Sequence, residues 1–204
     1  MKSNDDLQEV ADNLCETISR FVIEDAFISV FPESKSDRCG IPDDFEIIRK
    51  KIVQGNARAD DLDRTRKDFE NILGITRTQL ARTIDGRERQ LTELRSICEH
   101  AGAKARRDFD QAERKLKEIK SSVDTVTYQD AKKKSRLLYA EYNNHLMRAI
   151  EKYLGRMPKS SRSVARELLD GKALSLHDIG PDDFANIKNS ELAKYIKIKF
   201  VHDL

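Results

Sequence analysis

The sequence has no tryptophan, and only 6% of its 204 residues are aromatic. Residues that form turns are also scarce, with four prolines and eight glycines. Because β-sandwiches and doubly wound sheets need frequent turns and many β-branched or aromatic positions, this composition argues against them. Charged side chains make up 36% of the chain, a proportion typical of long, solvated helices.

Long apolar runs and closely spaced cysteines are missing as well. The apolar runs at 26–28 and 30–31 are far too short to span a membrane, and the first residues lack the apolar core of a secretory signal. Cys15, Cys39 and Cys98 are odd in number and form no CxxC motif. We therefore expect a reducing, cytoplasmic location, in which any membrane contact is peripheral.

Motifs that carry catalysis are not found. The sequence contains no GxGxxG, Walker A, HExxH or GxSxG pattern. Its four histidines are scattered, and the adjacent aspartates at 43–44 and 182–183 are typical of helix starts. We therefore predict that the chain is not an enzyme and needs no cofactor or metal.

What the sequence does contain is one long apolar stripe, whose members mostly recur at intervals of three or four residues. Residues 121–127, rich in β-branched and hydroxyl side chains, interrupt it and favour a turn. This pattern predicts two amphipathic helices of the coiled-coil type, the first continuous over residues 61–123 and roughly 95 Å long. The stripe consists of Leu80, Ile84, Leu91, Leu94, Cys98, Ala101, Ala105, Phe109, Ala112, Leu116, Ile119 and Val123 before the turn, and Tyr128, Ala131, Leu138, Tyr142, Leu146, Ala149, Ile150, Tyr153 and Leu154 after it.

We therefore predict an all-α fold, an elongated antiparallel helical hairpin or three-helix coiled coil with a short helical tail. Residues 1–55 form N-terminal helices and a loop, 56–157 the hairpin, and 158–204 the tail. Because one hairpin covers the stripe on one side only, we expect its seam to pair with a second copy or with another coiled-coil chain. The predicted dimer seam consists of Leu91, Leu94, Cys98, Ala105, Phe109, Leu116, Leu138, Tyr142 and Leu146.

Charge is unevenly distributed along the chain. Residues 1–75 carry a net charge of −6, whereas residues 76–168 carry +9. Each lysine near an anionic leaflet contributes about 1 kcal/mol, so lysines gathered at the turn predict phospholipid binding. The alternative is that they only solvate a coiled coil. Nucleic acid is not an expected partner, because no aromatic residues alternate with the basic ones. The predicted lipid-binding residues are Lys115, Lys117, Lys120, Lys132, Lys133 and Lys134.

Two segments resemble the BAR (Bin/amphiphysin/Rvs) family. Residues 108–112, Asp-Phe-Asp-Gln-Ala, are similar to the Asp–aromatic–Asp–x–Ala pattern in that family's second helix. Residues 139–147 are similar to the aromatic–x–x–x–Asn stretch of its third helix. The resemblance implies a crescent-shaped antiparallel dimer, whose six lysines given above meet anionic phospholipid.

Two functions are therefore considered. The first is a non-enzymatic, BAR-like module that dimerises and binds anionic membrane surfaces, in membrane remodelling or trafficking. The second is a coiled-coil scaffold subunit of a cytoskeletal or chromosome-associated complex. The positions of the basic residues separate the two, since one shared face favours lipid and dispersal around the helices favours the scaffold.

Overall fold

The computed structural model describes residues 4–32, 58–169 and 179–195. No strand occurs among these residues, and the predicted all-α class is confirmed. The loop and second helix expected before residue 56 lie in 33–57, outside the described residues. The helices are α1 (Asn4–Ile28), α2 (Ala59–His100), α3 (Ala103–Thr125), α4 (Tyr128–Leu154), α5 (Lys159–Leu169), α6 (Pro181–Lys188) and α7 (Leu192–Tyr195).

The predicted continuous helix over residues 61–123 is wrong, because the chain breaks at Gly102. This residue has a φ of +94°, a left-handed conformation that glycine adopts at little cost and other residues rarely adopt. The N–H of Arg106 donates to the Gly102 carbonyl at 3.0 Å, which starts a new helix. Gly74 and Gly86, by contrast, lie inside α2.

The break at Gly102 folds the apolar stripe back on itself. Across it, Arg95 of α2 forms an ion pair with Glu113 of α3. The same guanidinium lies over the ring of Phe109, 5.5 Å from its centroid, at a distance where cations are attracted to aromatic faces. Residues before and after the break therefore face each other, and the two helices are antiparallel there.

A second reversal separates α3 from α4, within the stretch where the sequence predicted a turn. Thr127 caps α4, because its Oγ1 accepts the backbone N–H of Asp130 at 3.3 Å and donates to that residue's carboxylate at 3.0 Å. Beyond the turn, Lys134 of α4 pairs with Glu118 of α3 at 3.2 Å. Helices α3 and α4 are therefore also antiparallel.

The chain forms two compact units. Unit 1 contains Met1–Gly86 and Lys117–Tyr139, and unit 2 contains Arg87–Leu116 and Ala140–Leu204. Helices α2, α3 and α4 each contribute residues to both. The division predicted from the sequence, at residues 55 and 157, stays a prediction.

The core of unit 1 forms where α1 packs against the first half of α2. The rings of Phe21 and Phe69 meet edge to face, with centroids 5.9 Å apart, a geometry that aromatic pairs prefer. Phe31 and Tyr139 form a second such pair at 5.2 Å. The α1–α2 core cluster consists of Ala11, Leu14, Ile18, Phe21, Leu62 and Phe69.

In unit 2, polar contacts connect neighbouring helices beside the buried apolar stripe. Asp108 of α3 accepts a hydrogen bond from Lys152 of α4 and lies 3.4 Å from Nδ1 of His145. Burial acts to raise the pKa of Asp108, but these contacts outweigh it and hold the pKa below its usual value. In the helical tail, Ser161 of α5 donates to Asp183 of α6 at 2.7 Å.

We expect Gly102→Ala to lower the free energy of unfolding by about 1–2 kcal/mol, because a side chain at this positive φ strains the backbone. The added Cβ would also lie 2.7 Å from Nη2 of Arg156, a flexible group that can move aside. Urea unfolding followed by circular dichroism measures the loss.

Gly86→Ala is the matched control for that substitution. Among the described residues, its new Cβ would meet no atom within 4 Å, and alanine in a helix interior is more stable than glycine by about 1 kcal/mol. The two substitutions should therefore act in opposite directions. Effects of the same sign and size would contradict the assignment of the break to Gly102.

Candidate functional site

The predicted lipid-binding lysines are divided between the two units. Lys115 belongs to unit 2, where it pairs with Glu141 at 2.8 Å. Its charge is therefore engaged within the chain, which makes it the weakest of the six candidates. The other five belong to unit 1: Lys117, Lys120, Lys132, Lys133 and Lys134.

The turn between α3 and α4 collects these five lysines at the ends of two adjacent helices of unit 1. Lys117, Lys132 and Lys133 are exposed, whereas Lys134 is partly buried beside Glu118. Lys120 lines a different cavity. These lysines thus lie on the two helices that flank the turn, and only Lys133 and Lys134 line one groove there. Lipid binding by the six residues stays a prediction.

A groove of about 420 Å³ lies at this turn, and we call it the turn groove. Lysine ammonium groups and hydroxyl-bearing side chains border it, together with the first residues of α4. Ammonium groups and the N-terminal end of a helix both favour an anion. The groove also contains one carboxylate, which Thr127 hydrogen-bonds. Its lining residues are Ser122, Thr125, Val126, Thr127, Asp130, Lys133, Lys134 and Leu137.

Two apolar side chains are exposed beside these lysines. Leu137 is 53% exposed and Tyr128 is 39% exposed. The sequence placed Tyr128 on the buried stripe, and that assignment is wrong because α4 begins at this residue and leaves its ring in solvent. Basic groups next to exposed apolar side chains are typical of surfaces that bind a membrane interface.

All nine residues of the predicted dimer seam are buried within the single chain. Their exposed fractions lie between 0 and 4%. The reversal at Gly102 brings Arg95 of α2 to Glu113 and Phe109 of α3, so part of the stripe packs within one chain. These side chains therefore offer no surface to a second chain. A dimer stays a prediction, and other residues would have to form its interface.

A second site in unit 1 was not predicted from the sequence. It is a cavity of about 460 Å³ bordered by α1, α2 and α3, and we call it the Glu24 cavity. Pockets of this volume commonly hold small molecules. Its wall combines apolar and charged side chains: Leu80, Ala81, Ile84 and Val123, with Arg20, Glu24, Arg77, Asp85, Lys120 and Asp124.

Glu24 is the most buried charged group in this cavity, with 1% of its surface exposed. Its Oε1 accepts hydrogen bonds from Nε of Arg20 at 2.8 Å and from Nε and Nη2 of Arg77 at 3.1 and 3.0 Å. These two arginines offset the cost of burying a carboxylate. Its Oε2 is also buried, and no hydrogen-bond partner for it exists among the described residues.

Arg20 connects this carboxylate to the end of α3. Its Nη1 donates to the Val123 carbonyl at 3.1 Å, and its Nη2 donates to the Asp124 carboxylate at 2.5 Å. Carbonyls in the last turn of a helix lack helical partners and carry the negative end of its dipole. Burial acts to lower the pKa of Arg20, but its bonds to Asp124 and Glu24 outweigh that effect and raise the pKa.

The sequence does contain a signal for this site. Glu24 lies three residues after Phe21 and three before Phe27, on an apolar side of α1, where a lone carboxylate needs a partner. Arg20, one helical turn earlier, is the local candidate. Arg77 is 53 residues away in the chain, and no local pattern predicts that contact.

No cluster of three His, Cys, Asp or Glu side chains within the described ranges could hold a metal ion. Of the helices described, none is both long and apolar enough to cross a membrane. Comparisons with protein-family models, curated proteins and solved structures found no match for this chain. Function is therefore inferred from the two sites of unit 1.

We expect Arg20→Gln to lower the free energy of unfolding by about 2–3 kcal/mol, because buried Glu24 would lose a cationic partner. Arg66→Gln is the matched control, since both arginine side chains are 29% exposed. The partners of Arg66 are surface carboxylates, so its loss should cost much less than the loss of Arg20. Equal losses in urea unfolding would show that the Glu24 contacts stabilise the fold no more than a surface pair does.

A thiol-labelling experiment tests the burial of the seam. In a Cys39→Ser variant at pH 8, we expect Cys98 to react at least about 100-fold more slowly than the exposed Cys15. Peptide-resolved mass spectrometry measures both rates in one sample. Comparable rates would show that the chain does not cover Cys98.

Burial, together with the charge of Glu99, raises the pKa of the Cys98 thiol from 9.0 to about 12. Above pH 9 the unfolded chain therefore loses this proton while the folded chain keeps it. The contribution of Cys98 to stability should fall as the pH rises from about 9 towards 12.

Proposed function

We propose that the chain is a non-enzymatic, BAR-like module that binds anionic phospholipid from the cytoplasmic side, through the lysines at the α3–α4 turn. The observation that supports this most is the turn groove, where Lys133 and Lys134 lie beside exposed Leu137. Membrane remodelling or trafficking is the setting that the family resemblance suggests.

The electrostatic part of this proposal rests on three exposed lysines, Lys117, Lys132 and Lys133. At an anionic leaflet they contribute about 3 kcal/mol together, at about 1 kcal/mol each. Exposed charges are screened over about 8 Å at physiological ionic strength. Charge alone therefore gives weak binding that decreases with salt.

The apolar part comes from Leu137 and Tyr128. Burying a leucine side chain contributes about 1.5–3 kcal/mol, which is comparable to the contribution of the lysines. Stable membrane attachment generally combines two such signals. The proposed module therefore needs anionic headgroups and keeps some affinity at raised salt.

Dimerisation remains part of the proposal, but with an interface different from the predicted seam. Exposed apolar side chains outside the turn are the starting points for such an interface. Ile75 in unit 1 is exposed, and so is Met147 in unit 2. Each lies on a long helix, where neighbouring surface residues can meet a second chain.

A scaffold subunit of a cytoskeletal or chromosome-associated complex is the second candidate. The observation that favours it is the number of basic side chains already paired with carboxylates of the same chain. Examples are Arg66, Arg95 and Arg166, all of them away from the turn. Charges dispersed in this way keep helices solvated and do not form one membrane-binding face. A protein partner would then be recognised through other surface residues.

The membrane proposal predicts that Lys117→Glu/Lys132→Glu/Lys133→Glu weakens binding to phosphatidylserine liposomes by at least about 100-fold, since three favourable charges of about 1 kcal/mol each are reversed. Lys134 is left unchanged, because its loss would also break the pair with Glu118. Co-sedimentation at two salt concentrations measures the affinity, and circular dichroism checks that the helices remain.

The matched control reverses three other exposed basic residues, Lys104, Arg106 and Arg107, which lie at the start of α3 in unit 2. It changes the net charge equally and should retain most of the affinity. If both triple variants lose binding equally, the attraction is not specific to the turn. Failure of the unmodified chain to bind at low salt would exclude the membrane proposal and favour the scaffold.

A further inference from the structure

One exposed face of α1 is acidic. The helix contains seven carboxylate side chains and one arginine, which gives it a net charge of −6. Glu9, Asn13 and Glu16 are exposed, on the side away from the α1–α2 core cluster. Their spacing of four and three residues places them along one helical face. Within the described part of the chain, neither glutamate side chain takes part in an ion pair.

A basic face with the same spacing lies on α3. Arg107, Gln111 and Arg114 also follow one another at intervals of four and three residues. Both arginines are exposed and Gln111 is partly exposed, on the side opposite the buried residues of this helix. No carboxylate of the described residues pairs with either arginine. They differ in this respect from Lys115 of the same helix, which pairs with Glu141.

The stability of α3 does not explain these cations. The first turn of the helix has no acidic residue and contains Lys104, Arg106 and Arg107. Positive side chains at a helix N-terminus oppose the helix dipole, which favours negative charge at that end. An anionic surface placed against this end would offset the unfavourable interaction.

The two faces match in spacing and in charge. Seven residues of an α-helix span about 10.5 Å, so Glu9 and Glu16 are separated along α1 as Arg107 and Arg114 are along α3. Each face carries an amide side chain between its charged pair, and amides both donate and accept hydrogen bonds. Each face repels another copy of itself and attracts the other face. Such complementarity selects a partner.

We propose that the acidic face of α1 in one copy of this chain docks on the basic face of α3 in a second copy. Glu9 and Glu16 then lie against Arg107 and Arg114. The proposal rests on the self-association included in the proposed function, for which it names the surfaces. Lipid binding at the turn uses none of these residues, so either can fail without the other.

The strength of this contact follows from its exposure to solvent. Exposed ion pairs are individually weak, and salt screens them over about 8 Å at physiological ionic strength. We therefore expect a weak association that increases with protein concentration and decreases with salt. Sedimentation velocity of the full-length chain, over a concentration series at low and at raised salt, measures it.

Two charge-reversal variants test which surfaces meet. Glu9→Lys/Glu16→Lys makes both faces basic, and Arg107→Glu/Arg114→Glu makes both acidic. Either variant alone should self-associate at least about tenfold more weakly than the unmodified chain. An equimolar mixture again places opposite charges at each contact, so association should return. Circular dichroism checks that the helices remain in both variants.

Two further variants serve as controls. A chain with all four reversals has a basic α1 face and an acidic α3 face, and it should self-associate like the unmodified chain. Arg64→Glu/Arg82→Glu changes the net charge as much as the α3 variant does, at exposed positions of α2. It should retain self-association. Liposome co-sedimentation of the unmodified chain reports on the turn separately.

Several outcomes would overturn the proposal. Sedimentation of the unmodified chain that does not change with concentration at low salt would exclude the contact, whether or not liposomes bind. A mixture that stays as weakly associated as its two components would show that the faces do not meet between copies. Equal losses in the α3 variant and in the Arg64/Arg82 control would reduce the effect to net charge.

Discussion

The left-handed backbone at Gly102 is the constraint on which the arrangement of the long helices depends. It ends α2, starts α3, and lets one apolar stripe pack against itself within a single chain. Because Phe109 and Arg95 lie on opposite sides of that break, the Arg95 guanidinium can lie over the Phe109 ring, a contact that a continuous helix would prevent. A stripe that suggests a partner chain can thus be covered from within.

Much of the helical content follows from the sequence, because apolar residues at intervals of three and four need a common face. The turn near Thr127 follows from local chemistry as well. The break does not, since Gly74, Gly86 and Gly102 all occur in similar charged stretches of sequence. Among the described residues only Gly102 has a positive φ, whereas Gly74 and Gly86 continue α2. Periodicity therefore predicts that helices form and leaves open where the chain reverses.

The same distinction applies to the sites. The lysines near the turn are close in sequence to a predictable reversal, so their proximity could be predicted. The pairing of Glu24 with Arg77 depends on the packing of α1 against α2, which no local pattern determines. For Tyr128 the sequence pattern was misleading. Its spacing matches the apolar stripe, but the residue lies at the start of α4, where its side chain stays exposed.

The last turn of α3 belongs to both sites of unit 1. Val123 and Asp124 line the Glu24 cavity, while Ser122 and Thr125 line the turn groove, and Arg20 fixes this segment to α1. A ligand that displaces this helical turn at one site would therefore also change the other site. Thermodynamic linkage requires that such an effect be reciprocal, because each ligand changes the affinity for the other by the same factor.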